Sequence, residues 1–350
     1  MTATPRRKRS ARFSDIADAA GVSIATVDRV LNERGSVSRK AREQVVAAAR
    51  ELGVPRLLPE VDTGLLHVDI VLPDNRSPFF QRLAQAFQRI VAMLDRRLVV
   101  HRVSVPDNDE AALLRVLAPR SYPRRALIVA APDSEASRQA LHQAQLRGEH
   151  VVMVVTRVEA LPGAAYVGID NYAAGRTAGH LIGRYCPQGG RVLILSSRRD
   201  YRGHRERSQG CRDALAGLPH LLCDAVSRET RDDPDQCYLA LSDAFRRGEG
   251  IAAIYNTGAG SPGVVAALRR FVAHKVCWIS HELSDDHRQY MQQGLLDVVI
   301  DQDPDTQALR AIQHMLAALG LAPPAPGGEQ GSEFRLYVPE NMRGERYFAE

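Results

Sequence analysis

FSDIADAAGVSIATVDRVL, residues 13–31, is the stretch that decides how this chain is to be read. It lays out two short helices around one glycine. Ile16, Ala17 and Ala20 recur at helical spacing on one face, and Ser14 is placed to cap that helix. Gly21 can enter the left-handed conformation that a tight turn requires. Ser23 then caps a second helix, whose Val27, Val30 and Leu31 turn back on the first while Ile24, Ala25, Asp28 and Arg29 face outward. A helix with short side chains at its exposed N-terminal end, and an arginine one turn on, can enter the major groove of DNA. The plain alternative is a helical hairpin without a partner.

Charge separates the two. Residues 1–60 hold twelve Lys or Arg against seven acids, whereas residues 61–350 hold 34 of each. The net +5 of the whole chain therefore sits in its first sixth. A polyanion suits that segment, and the body carries no such bias. Arg6 to Arg9 fall in a basic arm, residues 1–12, that would lie near phosphates without reading sequence.

A third helix, Arg39 to Leu52, opens after Ser38, carries Val45, Val46, Ala49 and Leu52 on one stripe and stops at Gly53. Residues 13–53 thus form a three-helix head. Residues 54–64 read as a linker, because Pro55 and Pro59 disfavour an ordinary helix there.

From Leu65 to Glu350, Val/Ile/Leu-rich runs alternate with helical patterns. The runs fall at 66–72, 98–105, 126–131, 150–155, 165–169, 191–196, 221–227, 251–255, 276–280 and 296–300. Helical segments include 79–94, 134–147, 172–185, 234–247, 262–273 and 304–319, and a last strand spans Phe334 to Val338. Continuous apolar strands separated by helices imply an α/β architecture of two doubly wound, parallel-sheet lobes. No apolar run is long enough to span a bilayer, so no membrane is expected. The five cysteines are scattered without C-x-x-C spacing, which argues against a disulfide framework or a zinc site and suits the cytoplasm.

With these residues in hand, the chain resembles the lactose-repressor (LacI/GalR) family over essentially its full length. DIADAAGVSIATVDRVLN followed by VSRKAREQV carries the match most specifically. The resemblance implies that Ile24, Ala25 and Arg29 face base edges, while Ser14, Ser23, Thr26, Asn32 and Ser38 bind phosphates or cap helices. Asp28 stands where the family more usually has Ser; an acid there would accept from a cytosine amino group or hold Arg29, and we favour the second. The family's hinge carries a short helix with a leucine wedge. Here Leu57 and Leu58 lie between prolines, so a weakly helical or extended linker is expected.

The body is similar to the family's effector domain, which shares its fold with periplasmic sugar-binding proteins. The resemblance implies a ligand site of Asn75, Phe79, Phe80, Arg157, Arg205, Asn256, His281, Glu282 and Gln302. All follow strands or open helices, where open α/β sheets bind ligands. Such a set suits a sugar or polyol, with polar groups for hydroxyls and rings for C–H faces. Each residue also has a plainer reading: Phe79 and Phe80 as helix core, Arg157 as a solvated charge, Asp170 as a helix cap. The implied protein is a cytoplasmic homodimeric regulator of double-stranded operator DNA, with no catalytic residues, metal or cofactor. A competing motif is Gly258 to Gly263, which fits G-x-G-x-x-G and has Glu282 about twenty residues on. An enzyme fused to a DNA-binding head could bind a nicotinamide dinucleotide there. The motif's late position and Pro262 in the first helical turn weigh against it.

Overall fold

Amphipathic spacing in the head produces three helices: α1 (Phe13–Ala20), α2 (Ile24–Leu31) and α3 (Arg39–Glu51). They come from a computed structural model that describes residues 11–32, 34, 37–54, 65–95, 97–272, 274–324 and 332–342. Most of the arm and all of the proline-bracketed linker except Val54 lie outside the described residues. The head core is Ile16, Ala17, Ala20, Val27, Val30, Leu31, Val45, Val46, Ala48 and Ala49. Gly21 takes φ +63°, and its N–H together with that of Val22 closes α1 on the carbonyls of Asp18 and Ala17. Two expectations change. The first helix begins two residues earlier than a Ser14 cap allows, because Asp15 Oδ2 accepts from the Arg12 N–H at 2.8 Å. On α3, Leu52 is 40% exposed and Ala48 takes the buried place.

Leu66 to Glu350 form a second compact unit of two lobes. The first lobe runs β1 (Leu66–Asp74), α4 (Pro78–Val91), β2 (Leu98–Pro106), α5 (Glu110–Leu117), β3 (Arg124–Val129), α6 (Glu135–Leu146), β4 (His150–Val154) and β5 (Ala165–Val167). Its five strands are all parallel, in the order β2-β1-β3-β4-β5. The second lobe runs α7 (Asn171–Tyr185), β6 (Gly190–Ser196), α8 (Arg202–Leu215), β7 (Leu221–Cys223), β8 (Arg228–Glu229), α9 (Pro234–Arg246), β9 (Ile251–Asn256), α10 (Ser261–Phe271), β10 (Cys277–His281), α11 (Asp285–Gln292) and β11 (Val298–Asp301). With a last strand β12 (Arg335–Tyr337), its order is β12-β11-β10-β9-β6-β7, with β8 beside β6.

Two elements leave this simple succession. After β11 the chain forms α12 (Pro304–Ala318), which packs in the first lobe: Ala308, Ala311, Ile312 and Met315 join Val68, Ile70, Leu83, Phe87 and Ile128 in one core. The chain then returns to the second lobe as β12 (Arg335–Tyr337), antiparallel to β11, so the second sheet is mixed where a parallel one was expected. The chain therefore crosses between lobes three times. The first and third crossings are tied to each other, since Ser332 N–H donates to Gly168 O at 2.8 Å.

Both sheets reverse their winding at one point, between β1 and β3 and between β6 and β9. The crevices at the carboxyl ends of these strands are where such sheets hold ligands.

Candidate functional site: an exposed recognition helix and an interlobe cleft

On the head, α2 presents a small apolar and basic face. Ile24 is 55% exposed, and Ala25 and Arg29 are also exposed. Ser23 Oγ caps the helix by accepting from Thr26 N–H at 3.2 Å and meets Thr26 Oγ1 at 2.9 Å. Ser38 Oγ does the same for α3 through Ala41 N–H at 3.3 Å. Ser14 Oγ lies 3.4 Å from Asp15 Oδ1, within the first turn of α1. Asp28 corrects our reading: its Oδ1 accepts from Asn32 Nδ2 at 2.6 Å, one helical turn on, rather than holding Arg29. Consecutive helical positions do not face each other, whereas i and i+4 do.

In the second unit, a cleft of about 700 Å³ opens between the carboxyl ends of the two sheets. From the first lobe it is lined by Asn75, Phe79, Phe80 and Asp107, and from the second by His204, Arg207, Asp232, His281, Glu282 and Gln302. Phe79 also belongs to the first-lobe core and meets Phe80 edge-on, with ring centroids 5.3 Å apart. Asn75 is tied locally, accepting from Ser77 N–H and donating to Asp107 Oδ2 at 3.1 Å.

Arg207 is the buried hub of this wall. Its Nε donates to Asn171 Oδ1 at 2.8 Å, Nη1 to Thr257 O at 2.7 Å and Nη2 to Gln302 Oε1 at 2.5 Å. Glycines make that placement possible. A Cβ at Gly175 would stand 2.1 Å from Arg207 O, and one at Gly210 would stand 2.2 Å from Tyr172 O, so α7 and α8 approach closely. Gln302 passes the chain of bonds on, donating to Glu282 Oε1 at 2.6 Å. The other Glu282 oxygen makes no hydrogen bond among the described residues, with Arg82 Nη1 3.7 Å away. Arg82 instead spends itself on Asp301 at 2.8 Å and Asp305 at 3.2 Å, joining α4 of one lobe to β11 and α12. Burial, helped by the Asp301 charge, pushes the Glu282 carboxyl up to about 8.

Three histidines of the wall are held neutral. Burial comes first in each case, and the Arg207 charge adds to it at His204, which falls to about 4, and at His281. His281 Nε2 meets the Tyr255 hydroxyl at 2.8 Å, while its Nδ1 has no partner among the described residues. His287 Nδ1 faces the carbonyl of Glu282, which can only accept, so Nδ1 carries the proton and Nε2 accepts from the Ser261 hydroxyl at 2.6 Å. Among the described residues, His281 Nδ1 and Glu282 Oε2 are thus two buried polar atoms in the cleft wall without a hydrogen-bond partner. Strain gathers here too: Val155, Arg231, Asp232 and Glu282 line the cleft with φ between +52° and +68°. Such conformations cost on the order of 1–3 kcal/mol each and persist where surrounding structure enforces them.

Three of the expected ligand residues stand elsewhere. Arg205 is 45% exposed, bonded to Arg199 O at 2.7 Å and Asp133 Oδ2 at 3.2 Å. It lies two residues from Arg207, about 200° round the helix. The buried stripe Gly203, Arg207, Gly210, Cys211 and Leu215 was the signal that distinguishes them. Asn256 is fully buried, and its side chain binds Ala259 O and Gly258 N–H, holding the turn behind the wall. Arg157 is exposed and lies over the Tyr166 ring, 4.8 Å from its centroid. Asp170 takes its plainer role, capping α7 through Ala173 N–H. Residues that the sequence reading passed over are Arg207, His204, Asp107 and Asp232.

The glycine-rich loop also has a structural use. Gly260 adopts φ +88° before α10, and a Cβ on Gly263 would come 1.8 Å from Pro234 O. Its third glycine lets α10 approach α9, not the strand contact that a dinucleotide fingerprint needs. Among the described residues no group of His, Cys, Asp or Glu is arranged to hold a metal ion, and no helix is long and apolar enough to cross a membrane.

Residues 68–321 match the periplasmic binding protein domain family, and residues 12–54 match the bacterial regulatory proteins of the lacI family. A ribose operon repressor of Halalkalibacterium halodurans is 34% identical over 108 residues, 29% of this chain and 32% of that protein. The transcriptional regulator GalR of Escherichia coli is 27% identical over 268 residues, 73% of this chain and 74% of that one. The first of these alignments spans only about a third of the relative's length. Among solved structures, a transporter solute-binding protein of Burkholderia graminis in complex with D-arabinose has TM-score 0.71 at 18% identity, covering 81% of this chain and 99% of its own. One from Bacillus halodurans with bound myo-inositol has TM-score 0.71 at 16% identity, covering 81% and 97%. At that identity the structures speak for the fold.

Proposed function

The chain belongs to the periplasmic binding protein domain family and carries the helix-turn-helix of the bacterial lacI regulators, and from that premise we propose that it is a transcriptional regulator, not an enzyme, whose hold on operator DNA responds to a small neutral polyol. The carrying observation is a cleft wall of uncharged donors and acceptors, His281 and Glu282, opposite the Phe79 and Phe80 rings. Hydroxyls suit such atoms, and C–H faces suit the rings.

On the DNA side, Ile24, Ala25 and Arg29 meet base edges, and the caps at Ser23 and Ser38 hold helix N-termini toward phosphates. Ser14, Thr26 and Asn32 sit beside them, with Asp28 fixing Asn32. The protein acts in the cytoplasm as a homodimer on a palindromic site, as two-fold symmetry of such heads demands. The effector shifts the balance between two lobe arrangements by binding one of them more tightly.

The ribose operon repressor and the neighbours with D-arabinose and myo-inositol make pentoses and cyclitols the first probes. Selection from random duplexes with the full chain should enrich an inverted repeat. D-ribose, D-arabinose or myo-inositol should raise its melting temperature and alter its affinity for the selected duplex. Enrichment of no symmetric site, or NAD turnover without any polyol shift, would sink the reading.

A further inference from the structure

The outward face of α2 carries aliphatic carbon where a polar partner is to be met. Its first turn, Ile24 to Val27, holds no charged or amide side chain. Ile24 is 55% exposed, and Ala25 is exposed beside it. Among the described residues of the head, Leu52 is the other large apolar side chain so open to solvent, and it lies beyond the end of α3. The polar groups around the pair are engaged locally. Ser23 Oγ and Thr26 Oγ1 stand 2.9 Å apart, Ser23 Oγ accepts from Thr26 N–H, and Asp28 Oδ1 takes the Asn32 amide at 2.6 Å. Val27, Val30 and Leu31 are buried in the head core. What α2 has left to present is the Ile24–Ala25 patch, with the exposed Arg29 one helical turn on from Ala25.

We propose that Ile24 and Ala25 read the 5-methyl groups of pyrimidines in the major groove, so that each half-site is recognised there by thymine or 5-methylcytosine and not by cytosine. The inference rests on the DNA-binding reading above and names the chemistry that α2 recognises.

The thymine methyl is the one apolar group that an unmodified base pair offers in that groove; its other distinguishing features are donors and acceptors. The side chains of Ile24 and Ala25 can neither give nor take a hydrogen bond, so the donor and acceptor pattern opposite them goes unread. The methyl is what remains. Placement favours it as well. The twelve cations against seven acids of residues 1–60 draw the head onto phosphates, and the N-terminal end of a recognition helix is the part that reaches base edges. Burying one methyl against aliphatic carbon is worth about fourfold in affinity. Cytosine methylation thereby becomes a signal that this head senses: a site with cytosine at such a position gains the missing methyl when it is modified at C5.

The test uses the full chain and a duplex enriched from random sequence. Each thymine of that duplex is replaced in turn by deoxyuridine, which lacks only the methyl. At one or two positions per half-site the dissociation constant should rise about fourfold, and elsewhere it should hold. A cytosine·guanine pair at those positions should bind no better than deoxyuridine, and 5-methylcytosine should restore the affinity. In Ile24→Ala, deoxyuridine at one of the positions should cease to matter while the other keeps its effect. Deoxyuridine without effect at every position overturns the proposal, as does 5-methylcytosine that binds no better than cytosine. The wild-type series decides the matter even if the variant folds poorly. Enrichment of no duplex at all would bring down the DNA-binding reading and this proposal with it; an enriched duplex indifferent to its methyls removes only the role assigned to Ile24 and Ala25.

Discussion

Arg207 and Arg205 show what one residue's place on a helix is worth. Arg207→Ala leaves the acceptors of Asn171, Thr257 and Gln302 buried without their donor. That should destabilise the second unit by about 3 kcal/mol or more. Arg205→Ala removes only half-exposed contacts and should fall within about 0.5 kcal/mol of wild type. Urea unfolding of the two variants side by side checks the contrast; equal effects would mean that the hub is misassigned. On the head, Arg29→Ala should cost about 1–3 kcal/mol on a selected operator and little on random duplex, measured by titration at fixed salt.

Glu282 makes stability depend on pH in a direction unusual for a carboxyl. Its pKa rises from an ordinary 4.5 to about 8 on folding, so the native state keeps a proton that the unfolded chain releases. Stability from this group is complete below pH 4.5 and is lost as pH rises toward 8, at a slope approaching about 1.4 kcal/mol per pH unit. The neutral histidines work the other way. Their stability is present above 6.5 and is lost as pH falls, through about 4 for His204. Only Glu282 of these acts between pH 6.5 and 8. Glu282→Gln should therefore flatten the unfolding free energy across that window and be the more stable protein at pH 8. A wild-type profile that is already flat there would remove the protonated carboxyl from the site.

At the scale of elements, the contact between α7 and α8 rests on absent side chains. Gly175→Ala pushes a Cβ into the Arg207 carbonyl and should cost about 1–3 kcal/mol, with the hub displaced as well. Gly217, where a Cβ meets nothing within 4 Å, is the control; Gly217→Ala should be neutral or stabilise by up to about 1 kcal/mol. Thermal unfolding distinguishes the two.

Such elements also show what could be read beforehand. The Val/Ile/Leu runs located strands from β1 to β11 because a strand covered on both faces is apolar throughout. Of the 221–227 run only Leu221–Cys223 forms a strand, β7, and β8 (Arg228–Glu229) lies just beyond it. Gly21 and Ser23 fixed the turn between α1 and α2 by local chemistry alone. Asn75, Phe79, Phe80, His281, Glu282 and Gln302, which the family resemblance implied, line the cleft, where strand ends mark a crevice. The helix start alone points to Arg205, whereas the buried stripe Gly203, Arg207, Gly210, Cys211 and Leu215 singles out Arg207. The orientation of β12 and the destination of α12 were beyond local reading, since partners distant in sequence decide both.

The two lobes of the second unit are joined by Arg82 on Asp301 at 2.8 Å and by the Tyr201 hydroxyl on Asp107 at 3.1 Å. Coupling through this bridge is testable at a distance. Asp301→Asn removes the charge that helps raise Glu282, so the loss of stability with rising pH, which still begins near pH 4.5, should level off at lower pH and be smaller in total. An unchanged profile in that variant would show that burial alone sets the Glu282 proton.

The three crossings also govern how the polypeptide is made. The first sheet ends with β5, yet its core stays open until Ala308, Ala311, Ile312 and Met315 of α12 arrive. About 140 residues separate the two, and at translation speeds of roughly 5–20 residues per second the wait is on the order of ten seconds. Throughout it, the nascent chain carries an unclosed apolar face beside the exit tunnel. Folding of that lobe is thus a late, long-range event in the life of the chain, and a ribosome stalled before Pro304 would release a product that chaperones and proteases meet as unfinished.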